Sequence, residues 1–152
     1  MAFSSVHEMI DLCKESGKPL YEVILESDLA ESGLTRAESE AEMHRLWAVM
    51  QATSDGYCGA DRSMSGFAGG DAAKVNAAAA RGVLYADGYF ADVMAEALKT
   101  AECNACMKRI VAAPTAGSCG VLPAVLLPLQ RRGLADEAAV HRALYILSLI
   151  HI

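Results

Sequence analysis

The sequence predicts an all-α protein, a multi-helix bundle interrupted by two glycine-rich loops. Three observations lead there. Hydrophobic residues make up 53% of the chain and aromatics only 6%, with alanine abundant, which is the balance of closely packed helices rather than of β-branched strands. Apolar residues recur at spacings of three and four along most of the chain. No run alternates with period two for long enough to compete as a strand.

The elements follow in order. Val6, Met9, Ile10 and Cys13 mark one inward stripe, and Gly17 stops that helix. Pro19 sits where a first turn tolerates it and opens a second helix, with Leu20, Val23 and Ile24 inward. Thr35 with Glu38 forms a capping box for a third, whose inner face is Met43, Leu46, Trp47 and Met50. From Ser54 to Gly70 the pattern breaks into a glycine-rich stretch. Asp71 is expected to cap a helix over Ala72–Ala80. A long helix is expected from Tyr89 to Ala112, with Met94, Leu98, Ala101 and Ala105 facing inward and Asn104 beside them. Pro114 ends it. The loop TAGSCG leads into a helix through Val121 and Pro123, closed by Arg132-Gly133, and Asp136 begins a last helix through Ala143 and Leu144.

Composition narrows the function. In 152 residues the formal net charge is -6 and the isoelectric point about 5.1. The basic pairs Lys108-Arg109 and Arg131-Arg132 are isolated, so no nucleic-acid partner is expected. Charges at Glu8, Asp11, Lys14 and Glu15 interrupt any signal-peptide core, and the apolar run Val121–Leu129 is too short to span a bilayer. A cytoplasmic protein without a membrane partner is expected. The five cysteines, an odd number, read as thiols. His7, His44 and His141 lie among charged residues and read as surface groups. The last six residues, LSLIHI, match the translated end of a transposon used in sequencing libraries. The native sequence is therefore expected to stop near Ile146, with residues 147–152 an adapter artefact and His151 no ligand.

Two loops carry the candidate chemistry. Glycines permit left-handed backbone, so successive N–H groups can turn toward an anion, and a following helix adds orphan N–H groups and a positive dipole end. Ser63–Asp71 leads into a helix in this way, and Lys74 lies one turn further on. Pro114–Gly120 repeats the arrangement with Thr115, Gly117 and Ser118. For each loop, an ordinary connection between helices stands as the alternative. Asn104, on a face read as inward, either ties helices together or orients a substrate. Cys103 and Cys106 form a CxxC expected well inside a helix, where packing is favoured over a redox or metal role.

In order, Arg62-Ser63-x-Ser65-Gly-x-x-Gly69-Gly70-Asp71-x-x-Lys74, Glu102-x-Asn104-Ala105 and Ala-Pro-Thr115-Ala-Gly117-Ser118-x-Gly120 resemble the alpha chain of iron–sulfur L-serine dehydratases. The similarity covers nearly all of residues 1–146, which would be the N-terminal part of that catalytic domain and so an incomplete domain. Two departures stand out: Ala101 where the family often has Asn, and Cys103, Cys106 and Cys119 where it commonly has small or aliphatic residues.

The resemblance implies a helical lyase of amino-acid catabolism, supplying pyruvate for gluconeogenesis. It would convert L-serine to pyruvate and ammonia with a [4Fe–4S] cluster and no pyridoxal phosphate. Lys74 and Asn104 would be catalytic, while Ser63, Ser65, Gly69, Gly70, Thr115, Gly117 and Ser118 would bind substrate. The cluster cysteines are expected in a later half of the chain, with no metal ligand in this part and no activity from it alone. A beta chain or domain is the expected partner, and the complete enzyme an oligomer. The rivals are a noncatalytic helical interaction module and a thiol-redox or metal protein using Cys103 and Cys106.

Overall fold

The alternation of apolar stripes and glycine stops produces seven α-helices in the computed structural model, which describes residue 3 and residues 5–84, 88–113 and 116–148. They are α1 (Val6–Ser16), α2 (Leu20–Ser32), α3 (Arg36–Asp55), α4 (Asp71–Ala80), α5 (Gly88–Ala105), α6 (Val121–Arg131) and α7 (Glu137–Ser148), with a 3-10 turn at Ala116–Ser118. No strand occurs among the described residues. The all-α expectation holds.

Contacts divide the chain into two compact units, Met1–Arg45 with Glu137–Ile152, and Leu46–Asp136. In the first, α2 packs on α1 and α7. Ile24, Leu25 and Tyr145 form its buried centre, with Met9, Leu20, Leu29 and Met43 packed around them. Gly17 ends α1 as read, at φ 67°; in addition, Gly33 ends α2 at φ 71°, and Ser5 accepts the Glu8 N–H at 3.2 Å. The Thr35 and Glu38 box closes reciprocally, with Thr35 N–H on Glu38 Oε2 at 2.8 Å and Glu38 N–H on Thr35 Oγ1 at 3.3 Å. Two details differ. Val6 and Ile10 of the expected α1 stripe stay exposed, because α2 covers only part of that face. His141, read as a surface group, has a side chain only 12% exposed. Burial, and then the neighbouring His44, push its imidazole below the usual histidine range.

In the second unit α5 is the central element, packed against both α4 and α6. Ala91, Ala95, Glu96, Thr100, Glu102 and Cys103 are its buried positions. Small alanines let the neighbouring helices come close. Leu122, Ala124, Leu126 and Leu127 of α6 and Ala72 of α4 complete the packing, with Trp47 and Met50 also buried. The expected face was wrong here: Met94, Ala101, Asn104 and Ala105 are exposed. Two buried glutamates occupy stripe positions that a hydrophobic pattern assigns to apolar residues.

The helix also ends at Ala105 rather than Ala112. Met107 takes the left-handed conformation at φ 59°. The Lys108 N–H reaches Cys103 O at 2.9 Å and the Met107 N–H reaches Asn104 O at 3.0 Å, a Schellman closure without glycine. Gly133 ends α6 by the same pair of bonds, as its position suggested.

Candidate functional site

The glycine-rich segment is fastened by its own polar groups. Ser63 N–H donates to Ala68 O at 2.9 Å and Gly66 N–H to Ser63 O at 2.8 Å. Ser63 Oγ accepts the Ala68 N–H at 3.1 Å and lies 3.2 Å from Ser65 Oγ. Arg62 folds back, donating from Nη1 to the carbonyls of Gly59 and Asp61. Two positions demand glycine. A Cβ on Gly69, at φ 127°, would stand 2.2 Å from Asp61 O, and one on Gly70, at φ 88°, would stand 3.0 Å from the Arg62 guanidinium and the Gly59 carbonyl.

An anion site does form at the start of α4, and the protein supplies the anion. The Glu102 carboxylate, from a residue 6% exposed on α5, accepts the Gly70 N–H at 2.9 Å, the Asp71 N–H at 2.6 Å and the Ala72 N–H at 3.2 Å. Tyr57 O–H donates to the same carboxylate at 2.6 Å. The orphan N–H groups and positive dipole end of α4 are therefore matched by a glutamate from the neighbouring helix. Burial, and then the bond to Glu102, push Tyr57 up to about 12. The Gly70 amide, expected to face a substrate, is engaged by this glutamate.

Lys74 is exposed and pairs with Asp71 at 2.7 Å, and this contact holds the Asp71 carboxyl below its usual range. Asp71, expected as the cap, is the first residue of α4, with Gly70 in the cap position. Ser63 is half-buried, whereas Ser65 and Asn104 are exposed. Asn104 was expected inside. It falls outside because Glu102 and Cys103 occupy the inward arc of that turn. Gly69 lines a crevice too narrow to admit a ligand, with Cys58, Cys103, Cys106 and Lys108. Lys108 pairs with Asp61 there.

The second loop also rests on α5. Gly120, just before α6, lies so close that a Cβ there would be 3.0 Å from Ala97 O. Gly117 is exposed and Ser118 half-buried; Thr115 lies outside the described residues. Ala97 and Glu102 are five residues apart, about 7.5 Å along the helix and about 140° around it. Both loops thus dock on one helix, at different faces.

Sequence reasoning missed Tyr57, the role of Glu102 and a second buried acid. Glu96, 4% exposed, accepts from Ser54 Oγ at 2.5 Å, Lys99 at 2.7 Å and Arg131 at 2.7 Å. Arg131 also reaches Ser54 Oγ at 3.1 Å and Asp55 at 2.7 Å. The available signal was a pair of glutamates, Glu96 and Glu102, within an alanine-rich stretch. A buried carboxylate needs donors, and the nearby amides and cations are those donors.

Cys103 is buried near the C-terminal end of α5, not well inside it as expected, and its thiol is pushed up chiefly by burial. Both its burial and the negative helix end oppose a reactive thiolate. Among the described residues, no three cysteine sulfurs lie close enough together to share a metal ion.

The fold and site define a helical protein whose glycine loop is locked at a helix N-terminus by a buried glutamate. The chain belongs to the serine dehydratase alpha chain family, whose model matches residues 15–152. It is 34% identical over 138 residues to the L-serine dehydratase alpha chain of Peptoniphilus asaccharolyticus, covering 90% of this chain and 47% of that one. It is 30% identical over 130 residues to the probable L-serine dehydratase alpha chain of Bacillus subtilis (strain 168), covering 86% and 43%. The chain thus spans less than half the length of these relatives. No solved structure matches it. No helix among the described residues is long and apolar enough to cross a membrane.

Proposed function

We propose that this chain is part of a cytoplasmic L-serine ammonia-lyase that works with a beta chain and a [4Fe–4S] cluster, without pyridoxal phosphate. The cluster's thiolates come from outside the described residues. The observation that carries the reading is family membership over residues 15–152, joined to a loop held rigid where the family-like motif falls.

L-serine loses its Cα proton and its hydroxyl as water, and the resulting aminoacrylate hydrolyses to pyruvate and ammonium. This chain's residues bind and orient. Glu102 and Tyr57 are positioning residues that fix the loop's backbone, so that Ser63 and Ser65 present hydroxyls from a set geometry. The Lys74 ammonium, exposed beside the loop, exchanges Asp71 for the substrate carboxylate. Asn104, exposed at the end of α5, contacts the remaining polar groups of serine. Fixing these donors before substrate arrives lowers the ordering cost of binding.

The test is pyruvate formation from L-serine by the complete enzyme, alpha and beta chains together, with and without Lys74→Ala. Substitution is expected to lower kcat/KM roughly tenfold or more, the loss of about 1.4 kcal/mol of interaction. An unchanged kcat/KM would remove Lys74 from the site. Absence of any pyruvate from the wild-type assembly would overturn the lyase reading.

A further inference from the structure

α3 and α7 bring three side chains together in the first unit. His44 Nδ1 lies 3.6 Å from Glu137 Oε1, and His141 Nε2 lies 3.8 Å from the same oxygen. The three ligand-type atoms all fall within 4.8 Å of one another. The imidazole rings meet edge to face, with centroids 3.8 Å apart. His141 Nε2 is buried and has no hydrogen-bond partner, an unusual state for a ring nitrogen.

We propose that His44, Glu137 and His141 form a binding site for a borderline divalent transition metal ion, of which Zn²⁺ is the type. Two imidazoles and one carboxylate suit Zn²⁺, Co²⁺ or Ni²⁺, whereas Ca²⁺ and Mg²⁺ require oxygen ligands. Zinc bonds of 2.0–2.1 Å place tetrahedral ligand atoms about 3.4 Å apart. The two separations to Glu137 are already within a few tenths of an ångström of that value, and small rotations of the exposed His44 and Glu137 side chains close the third. The ion gives His141 Nε2 the partner it lacks. Three protein ligands leave one coordination position for water, and a pocket of 240 Å³ lined by Tyr21, Glu40, His44 and His141 gives it room. Because Glu137 and His141 are one turn apart on α7 and His44 lies on α3, the ion would pin the first turns of α7 to α3.

Titration of the purified chain with ZnCl₂, followed by calorimetry, is expected to show one ion bound per chain and a raised melting temperature. Co²⁺ substitution is expected to give visible absorption of a tetrahedral site without the near-ultraviolet charge-transfer band of thiolate ligation, which separates this site from the five cysteines. His141→Ala and His44→Ala should each weaken binding by more than the roughly 10–100-fold that loss of a supporting group alone costs. His44, 58% exposed, can be replaced without disturbing the core, so the test stands even if the His141 variant fails to fold. No binding, thiolate-type absorption, or affinity unchanged in His44→Ala would overturn the site.

Discussion

Glu102 illustrates how much one buried charge can organise. Its carboxylate takes three backbone N–H groups and a tyrosine hydroxyl, so removing it strands several donors at once. Glu102→Gln places an amide N–H₂ against some of those donors and is expected to cost about 2–4 kcal/mol in urea unfolding. Asn104→Ala, two positions away and exposed, should stay within about 0.5 kcal/mol. Equal costs would contradict the arrangement. Tyr57 gives a pH signature. Its folded-state value of about 12 lies above the ordinary tyrosine value near 10, so its contribution is complete below about pH 10 and is lost as pH rises toward 12. Tyr57→Phe should flatten stability against pH across that window. An unaltered slope between those pH values would rule out this assignment. The motif Glu-x-Asn was visible in the sequence, but nothing local says which of its two polar residues turns inward.

Among the elements, glycine placement was legible and helix length was not. Gly17, Gly33 and Gly133 end helices in left-handed geometry with open space around them. Met107 does the same without glycine, which is why α5 reads too long in the sequence. The two uses of glycine differ measurably. Gly17→Ala meets no atom and carries only its backbone strain, about 1–2 kcal/mol. Gly69→Ala drives a Cβ into the Asp61 carbonyl and should cost several-fold more, detectable as a much larger fall in urea midpoint. Comparable midpoints for the two variants would mean that the loop backbone yields easily and does not hold a fixed geometry. The inner face of α5 was misread because its stripe carries Glu96 and Glu102, and a hydrophobic pattern cannot count buried acids as inward.

For the whole molecule, long-range polar contacts matter as much as the apolar core. Glu96 draws on Ser54, Lys99 and Arg131, so α3, α5 and α6 of the second unit are joined through one carboxylate. Arg131→Met leaves that acid short of a cation and should cost about 2 kcal/mol, less than for a fully enclosed pair because Arg131 is 41% exposed. Adding Glu96→Gln should recover part of the loss, and a double variant no more stable than the single one would count against the network. The sequence by itself determined the all-α class, the helix starts and stops written in capping residues and glycines, the two loops, and a motif order that the family match over residues 15–152 supports. These are local properties, set by residues within a turn or two of one another. Only the tertiary structure decided that Glu102 fills the first loop's anion site, that both loops dock on α5 at different faces, and that His44, Glu137 and His141 converge. Each of those joins residues more than 20 positions apart, and their meeting depends on which helix faces are buried together.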